Sequence, residues 1–299
     1  MTLRPPREDE FDAMLALIRA DEEAVFSEAT LDADEFRTWL SSPSCDPQRD
    51  IRVLEHAGGL AGYVDVDPSD TQPRKWWSQI TVAPGADVAS VVPELVGWLE
   101  ERADDGDLRV WTAADNEPML AELRRLGFHE QRHSLRLKIE LADEVPEPRW
   151  PDGITVRTFR PTDERALYDA NHEAWQDMSD PMDETFEEWQ HWTTKRASFD
   201  PSLWFLAFSG DEIAGFSLCD APKEGRGWIP ILGVRRPYRR RGLAEALLRH
   251  SFRAYAARGV RRVDLGVDAS SPTGATRLYE RAGMRVYRDT VFLERPVRR

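Results

Sequence analysis

The sequence predicts an α/β (α+β) protein built as two tandem domains, each a mixed sheet flanked by helices. Three observations carry that expectation. Similar short segments recur about 155 residues apart, a Pro-rich acidic stretch lies midway, and each half mixes a hairpin signal with a strand–helix–strand signal.

The repeat comes first, because self-similarity at a fixed spacing decides the organisation of a chain. Leu3-Arg4-Pro5 is matched by Phe159-Arg160-Pro161, 156 residues on. Ala61-Gly62-Tyr63 is matched by Ala214-Gly215-Phe216 at a spacing of 153, and Arg125-Leu126-Gly127-Phe128 by Arg281-Ala282-Gly283-Met284 at 156. Three collinear matches imply a duplicated domain of about 150 residues, near the usual size of one domain. Between the copies, LADEVPEPRWPDG (141–153) has linker composition. The expected domains are therefore 1–141 and 154–299, joined by 142–153.

In the second half, residues 204–208 and 213–219 read as strands joined by a turn at Ser209-Gly210-Asp211. Residues 228–234 read as one continuous buried strand. Apolar residues at helical spacing (Leu243, Ala246, Leu247, Ala254) predict a helix over 243–257, which Gly259 ends. Residues 263–267 read as a strand again, so strand, helix and strand form a right-handed parallel crossover.

Composition narrows the function. Of 299 residues, 41% are hydrophobic and 31% charged, an ordinary globular balance. No apolar run is long enough to span a membrane, and the acidic N-terminus has no signal-peptide core. Cys45 and Cys219 are far apart and belong to no metal-ligand spacing, so a reducing, cytoplasmic setting and no bound metal are expected. Residues 1–149 carry 16 Lys and Arg against 32 Asp and Glu, whereas 150–299 carry 24 against 22. That balance argues against nucleic acid as a partner. Arginines gather at 235–241, where a small polyanion is the plausible ligand.

The chemistry concentrates where the 228–234 strand feeds the helix after Gly242. A strand-to-helix turn leaves several backbone N–H groups without intrahelical partners, aimed at one spot and carrying the positive end of the helix dipole. Such a spot binds phosphate. Gly242 and Ala244 are small enough to let a ligand reach the backbone, and Arg239 and Arg241 add charge. Neither a Walker loop nor a GxGxxG fingerprint is present.

The segments GVRRPYRRRGLAEALL (233–248) and ATRLYERAGM (275–284) resemble the two motifs of the GCN5-related N-acetyltransferase (GNAT) family. The resemblance implies a mostly antiparallel central sheet in each domain, with acetyl-CoA as co-substrate. Arg239, Arg240, Arg241, Gly242, Leu243 and Ala244 would bind its pyrophosphate. Leu232 and Val234 would pair their backbones with the pantetheine arm, and Tyr279 would protonate the departing thiolate. The reaction implied is direct attack of a small-molecule primary amine on the thioester. The layout is also similar to that of the mycothiol synthases, which would make the acceptor an amino-sugar thiol conjugate. A CoA-binding regulatory module without turnover is a third reading. The chain would be a monomer or a homodimer.

Ser270-Ser271-Pro272 stands where the family often has Asn, and Met284 replaces a usual Phe. In the first half, Ala83-Pro84-Gly85-Ala86-Asp87 follows the strand at 77–82, and Leu123 stands in the place of Tyr279. A degenerate, non-catalytic first domain is therefore expected. The amine must lose a proton, and Asp220, Glu173 and Asp177 are all candidate bases. Trp175, Trp189, Trp192, Trp204 and Trp228 either wall an acceptor pocket or serve as packing. The acidic stretch 177–188 is either a rim that attracts a cationic amine or a solvated helix face.

Overall fold

A computed structural model describes the chain except residues 42–44, 69–73, 177–183, 272–273 and 298–299. The first half runs β1 (Thr2–Arg4), α1 (Phe11–Phe26), α2 (Ala33–Leu40), α3 (Pro47–Asp50), β2 (Ile51–His56), β3 (Gly59–Asp65), β4 (Asp67–Pro68), β5 (Lys75–Ser78), β6 (Ile80–Val82), α4 (Val88–Arg102), β7 (Asp107–Ala113), α5 (Glu117–Arg125) and β8 (His129–Glu140). The second runs β9 (Ile154–Thr158), α6 (Glu164–Trp175), α7 (Phe186–Trp192), β10 (Phe199–Ser209), β11 (Glu212–Asp220), β12 (Arg226–Ile229), β13 (Ile231–Val234), α8 (Leu243–Ala257), β14 (Arg262–Asp268), α9 (Ala275–Arg281) and β15 (Arg285–Pro296).

The compact units are Met1–His133 with Arg288–Arg299, and Ser134–Tyr287. The seam read from the sequence, 142–153, thus falls inside the second unit, and each half gives most of its last strand to the other unit. In the second unit β8 pairs antiparallel with β14 from Ser134 to Glu140. In the first, β15 pairs antiparallel with β7 from Thr290 to Pro296. Residues 142–153 are not a free tether. Val145 is buried, its carbonyl accepts from Arg253 at 2.9 Å, and Trp150 packs edge-on against His250 on α8.

The second unit holds the antiparallel sheet β13-β11-β10-β9 and the strands β12-β14-β8, with β12 and β14 parallel. Alternation along β10 sorts its side chains by face. Leu203, Phe205 and Ala207 join the core beneath α8, whereas Trp204 and Leu206 join the core with Leu167 and Ala170 of α6. Helix α8 buries Leu243, Ala246, Leu247, Leu248, Phe252 and Tyr255 on one face. It ends as Gly259 (φ +77) and Val260 donate back to Ala256 and Tyr255.

The first unit repeats this plan, with β1-β2-β3-β6 as its antiparallel sheet and β5 parallel to β7. Three pairs of equivalent bonds fix the correspondence. Arg4 binds Glu10 as Arg157 binds Asp163, Ala83 N–H donates to the Ala61 carbonyl as Arg235 N–H donates to Ala214, and Phe128 N–H donates to Leu123 as Met284 N–H donates to Tyr279. Arg4 therefore corresponds to Arg157. The sequence match of Leu3-Arg4-Pro5 to Phe159-Arg160-Pro161 is three residues out of register.

The continuous strand expected over 228–234 is two strands in different sheets. Pro230 has no N–H to give a ladder. Before it, Arg226–Ile229 pair with β14; after it, Ile231–Val234 pair with β11. In the first unit Gln79 divides β5 from β6 in the same way.

Candidate active site

The break at Pro230 makes β13 an edge strand, paired among the described residues with β11 alone. Antiparallel ladders alternate, so one residue's N–H and C=O face the partner and the next residue's face away. Arg235 N–H bonds Ala214 at 3.0 Å, and Val234 stands opposite Gly215. Leu232 and Val234 therefore present their backbone groups to the free edge. The Val234 carbonyl is taken by Arg239 Nε at 3.0 Å. Gly233 is packed so closely that a Cβ would lie 2.3 Å from the Phe216 ring, which holds β13 flat on β11.

After β13 the chain turns through residues 235–242 into α8. Arg235 is anchored to Glu173 on α6 (Nε to Oε2, 2.6 Å) and Tyr238 to Glu212 at 2.9 Å. Arg239 also donates to the Ala174 carbonyl at 3.3 Å, so it ties the turn to both β13 and α6. Arg240 (φ +62) and Gly242 (φ +86) are left-handed, and a Cβ on Gly242 would meet nothing within 4 Å. Alternating handedness turns successive amides inward as an anion-binding nest. Here the nest opens onto the N-terminus of a helix of 15 residues. Arg240 and Arg241 are exposed beside it, and Leu243 is buried, which pins the first turn of α8.

Tyr279 lies on α9, which starts after Gly274, and is 7% exposed. It shares one apolar cluster with Leu232, Val234 and Leu243, so the structure brings these four predicted residues together. Burial pushes its phenol up to about 12. Met284 is buried in the same cluster. In the preceding loop, Ser270 caps onto Asp268 (N to Oδ1, 2.8 Å), and Pro272 lies outside the described residues.

Of the base candidates, Asp177 lies outside the described residues. Glu173 is committed to Arg235. It lines a polar groove of about 720 Å³ with Arg157, Asp169, Asp211 and Glu212. Asp220 ends β11. Burial raises its pKa, opposed by Arg196 at 3.3 Å. In the acidic stretch, Glu188 forms a capping box with Thr185 and is thereby held below the usual carboxylate range. Burial pushes Glu184 up to about 7. Trp189 and Trp204 are core, packed edge-on at 6.3 Å, whereas Trp192 is 43% exposed and Trp228 lies under the Arg136 guanidinium at 5.4 Å. Packing accounts for the first two. The split at Pro230 and the left-handed Arg240 were missed from the sequence; a proline inside an apolar strand was the available signal for the former.

An edge strand leading into an amide-rich helix start, with a buried tyrosine in the cluster below, is a layout shared with a known class of transferase. Residues 165–284 match the acetyltransferase (GNAT) family. The chain belongs to that family, as an N-acetyltransferase with two GNAT-like folds in tandem. It is 33% identical over 286 residues to the mycothiol acetyltransferase of Geodermatophilus obscurus, covering 91% of this chain and 89% of that one. It is 31% identical to the mycothiol acetyltransferase of Thermomonospora curvata, over 83% and 82% of the two chains. Among solved structures, a GCN5-related N-acetyltransferase from Sphaerobacter thermophilus superposes with TM-score 0.84 at 35% identity, over 100% of this chain and 96% of that one. A tandem GNAT protein from the clavulanic acid biosynthesis pathway shares the fold, with TM-score 0.78 at 15% identity over 100% and 99% of the two chains. No described helix is long and apolar enough to cross a membrane. No group of three or more His, Cys, Asp and Glu suited to a metal occurs among the described residues.

Proposed function

We propose that the chain transfers an acetyl group from acetyl-CoA to the primary amine of a small cytoplasmic molecule, and that the second unit alone performs the transfer. The observation that carries this reading is the continuity of the free β13 edge with the nest before α8. The amides of Gly242, Leu243 and Ala244 take the pyrophosphate, with Arg240 and Arg241 beside it and Arg239 bracing the turn. The backbones of Leu232 and Val234 take the pantetheine arm.

The amine nitrogen attacks the thioester carbon, the carbonyl electrons form an oxyanion that edge-strand amides stabilise, and the C–S bond breaks as the oxyanion collapses. The amine's proton leaves to solvent or to a nearby carboxylate. The thiolate takes a proton from the Tyr279 phenol. A phenol near 12 is a weak acid against an ordinary thiol near 8.5. A thiolate expelled beside that buried phenol is less well solvated than one in water and is the stronger base for it. No metal is assigned a role.

The acceptor is tested by measuring acetyl-CoA consumption across aminoglycosides, polyamines, amino acids, peptides and amino-sugar conjugates. The relatives named as mycothiol acetyltransferases favour an amino-sugar thiol conjugate as one arm of that screen. Tyr279→Phe is expected to lower kcat about 100-fold or more with little change in the KM for acetyl-CoA; unchanged kcat removes the assigned role.

A further inference from the structure

The two units match down to single hydrogen bonds, so each position at the acetyl-CoA groove has a counterpart in the first unit. Ala83 N–H bonds Ala61 as Arg235 N–H bonds Ala214, and Val82 stands opposite Gly62 as Val234 stands opposite Gly215. The Val82 N–H therefore faces the free edge of β6. A Cβ on Gly62 would touch Val91 and Leu95; one on Gly215 would touch Leu243 and Leu247. Val91 thus stands where Leu243 stands. Counting back, Val88 falls on Arg240.

Helix α4 begins at Val88 and α8 at Leu243, so the first unit's helix starts three residues earlier. Val88-Ala89-Ser90 occupy, as helix, the place of Arg240-Arg241-Gly242. Asp87 caps that extra turn, accepting from Ala89 N–H at 3.3 Å and from the Ser90 hydroxyl. A carboxylate of the chain itself caps this helix start, and the Ser90 and Val91 amides, which stand in the places of Gly242 and Leu243, are spent on the Asp87 carbonyl.

The other face shows a similar substitution. Met14, Leu17 and Ile18 are the buried residues of α1 at the spacing of Leu167, Ala170 and Asn171 on α6. In that register Asp21 falls on Ala174, the residue beside Val234 whose carbonyl holds Arg239. Helix α1 packs on β6, which brings the half-buried Asp21 carboxyl up to the Val82 amide. Where the second unit has a methyl group and a free edge, the first has a half-buried carboxyl on the edge amide.

We propose that the acyl-CoA groove of the N-terminal unit is sealed by its own residues, Asp21 against the Val82 amide and Asp87 on the Ala89 amide at the start of an extended α4, so that the chain takes one acyl-CoA rather than two. This rests on the assignment of the α8 nest and β13 edge as the cofactor groove. Sealing lets the duplicated fold keep its edge strand without presenting unpaired amides.

The test uses CoA and the full chain. Calorimetric titration is expected to give one CoA per chain, with amide exchange slowed over 231–247 and unchanged over 80–92. A second equivalent, or slowing over 80–92, overturns the proposal. Slowing over neither segment defeats the α8 assignment, and with it the reading of the first unit's counterpart as an acyl-CoA groove. The Val82 amide is expected to exchange at least tenfold faster in Asp21→Ala, and at the parent rate in Asp21→Asn, whose side-chain carbonyl still accepts. Equal rates in the parent and both variants overturn the role of Asp21. If Asp21→Ala does not fold, the footprint on the unaltered chain decides.

Discussion

Tyr279 and Asp21 both owe their chemistry to burial, with opposite consequences. The phenol is neutral either way, so burial keeps it protonated and available. The carboxyl of Asp21 is pushed up to about 7, burial being the main cause, with the neighbouring Glu22 adding and the Val82 amide opposing. A carboxyl raised in the folded state binds its proton more tightly there than in the unfolded chain. Its contribution to stability is complete below about pH 4 and is lost as pH rises towards 7, at up to about 1.4 kcal/mol per pH unit. Glu22 next to it behaves oppositely: despite burial, the Leu31 and Thr30 amides and Arg288 hold it below the usual range. Asp21→Asn is expected to gain stability over the parent as pH rises from 5 to 7.5. Urea denaturation at those two values checks this, and a constant gap contradicts it. None of this was legible in the sequence, where Asp21 is one acid in an Asp-Glu-Glu run and its neutralisation depends on β6 lying across it.

At the scale of the element, the turn before α8 was readable in part. Its small residues and arginines led to the expectation of an anion site, with all three arginines assigned alike to the ligand. In the fold Arg239 is bonded to the carbonyls of Val234 and Ala174, so it sets the turn's geometry. Gly242 supplies the left-handed residue ahead of the helix. Gly242→Ala adds a Cβ into open space and is expected to cost about 1 kcal/mol from backbone strain alone. Gly242→Asp carries a similar backbone cost and adds a negative charge at the nest. It is expected to raise the KM for acetyl-CoA at least tenfold beyond the Ala variant. Denaturation midpoints and KM values for the pair separate strain from charge; equal KM values would place the pyrophosphate elsewhere.

For the whole molecule, the units do not end where the repeat ends. Residues 134–140 complete the second unit along β14, and residues 288–296 complete the first along β7, burying Val291 and Leu293 in its core. Arg288 adds a buried pair with Glu22, and Arg295 one with Glu100. A fragment cut at the repeat, 154–299, leaves β14 without its β8 partner and is expected to aggregate. The fragment 134–287 is expected to stay monomeric and folded. Size-exclusion chromatography and far-UV circular dichroism of the two fragments distinguish them, and equal behaviour refutes the division.

The sequence by itself determined the duplicated α/β plan, the helix over 243–257 with its glycine stop, the family, and the placing of Leu232, Val234, Leu243 and Tyr279 in one neighbourhood. Each follows from local signals: periodicity, turn chemistry and motif spacing. Only the tertiary structure decided where β13 parts from β12, which arginine braces the turn, which unit each terminal strand completes, and what fills the first unit's groove. Those depend on which chain segments lie across from one another, and a one-residue slip or a three-residue extension of a helix changes them without changing any local signal.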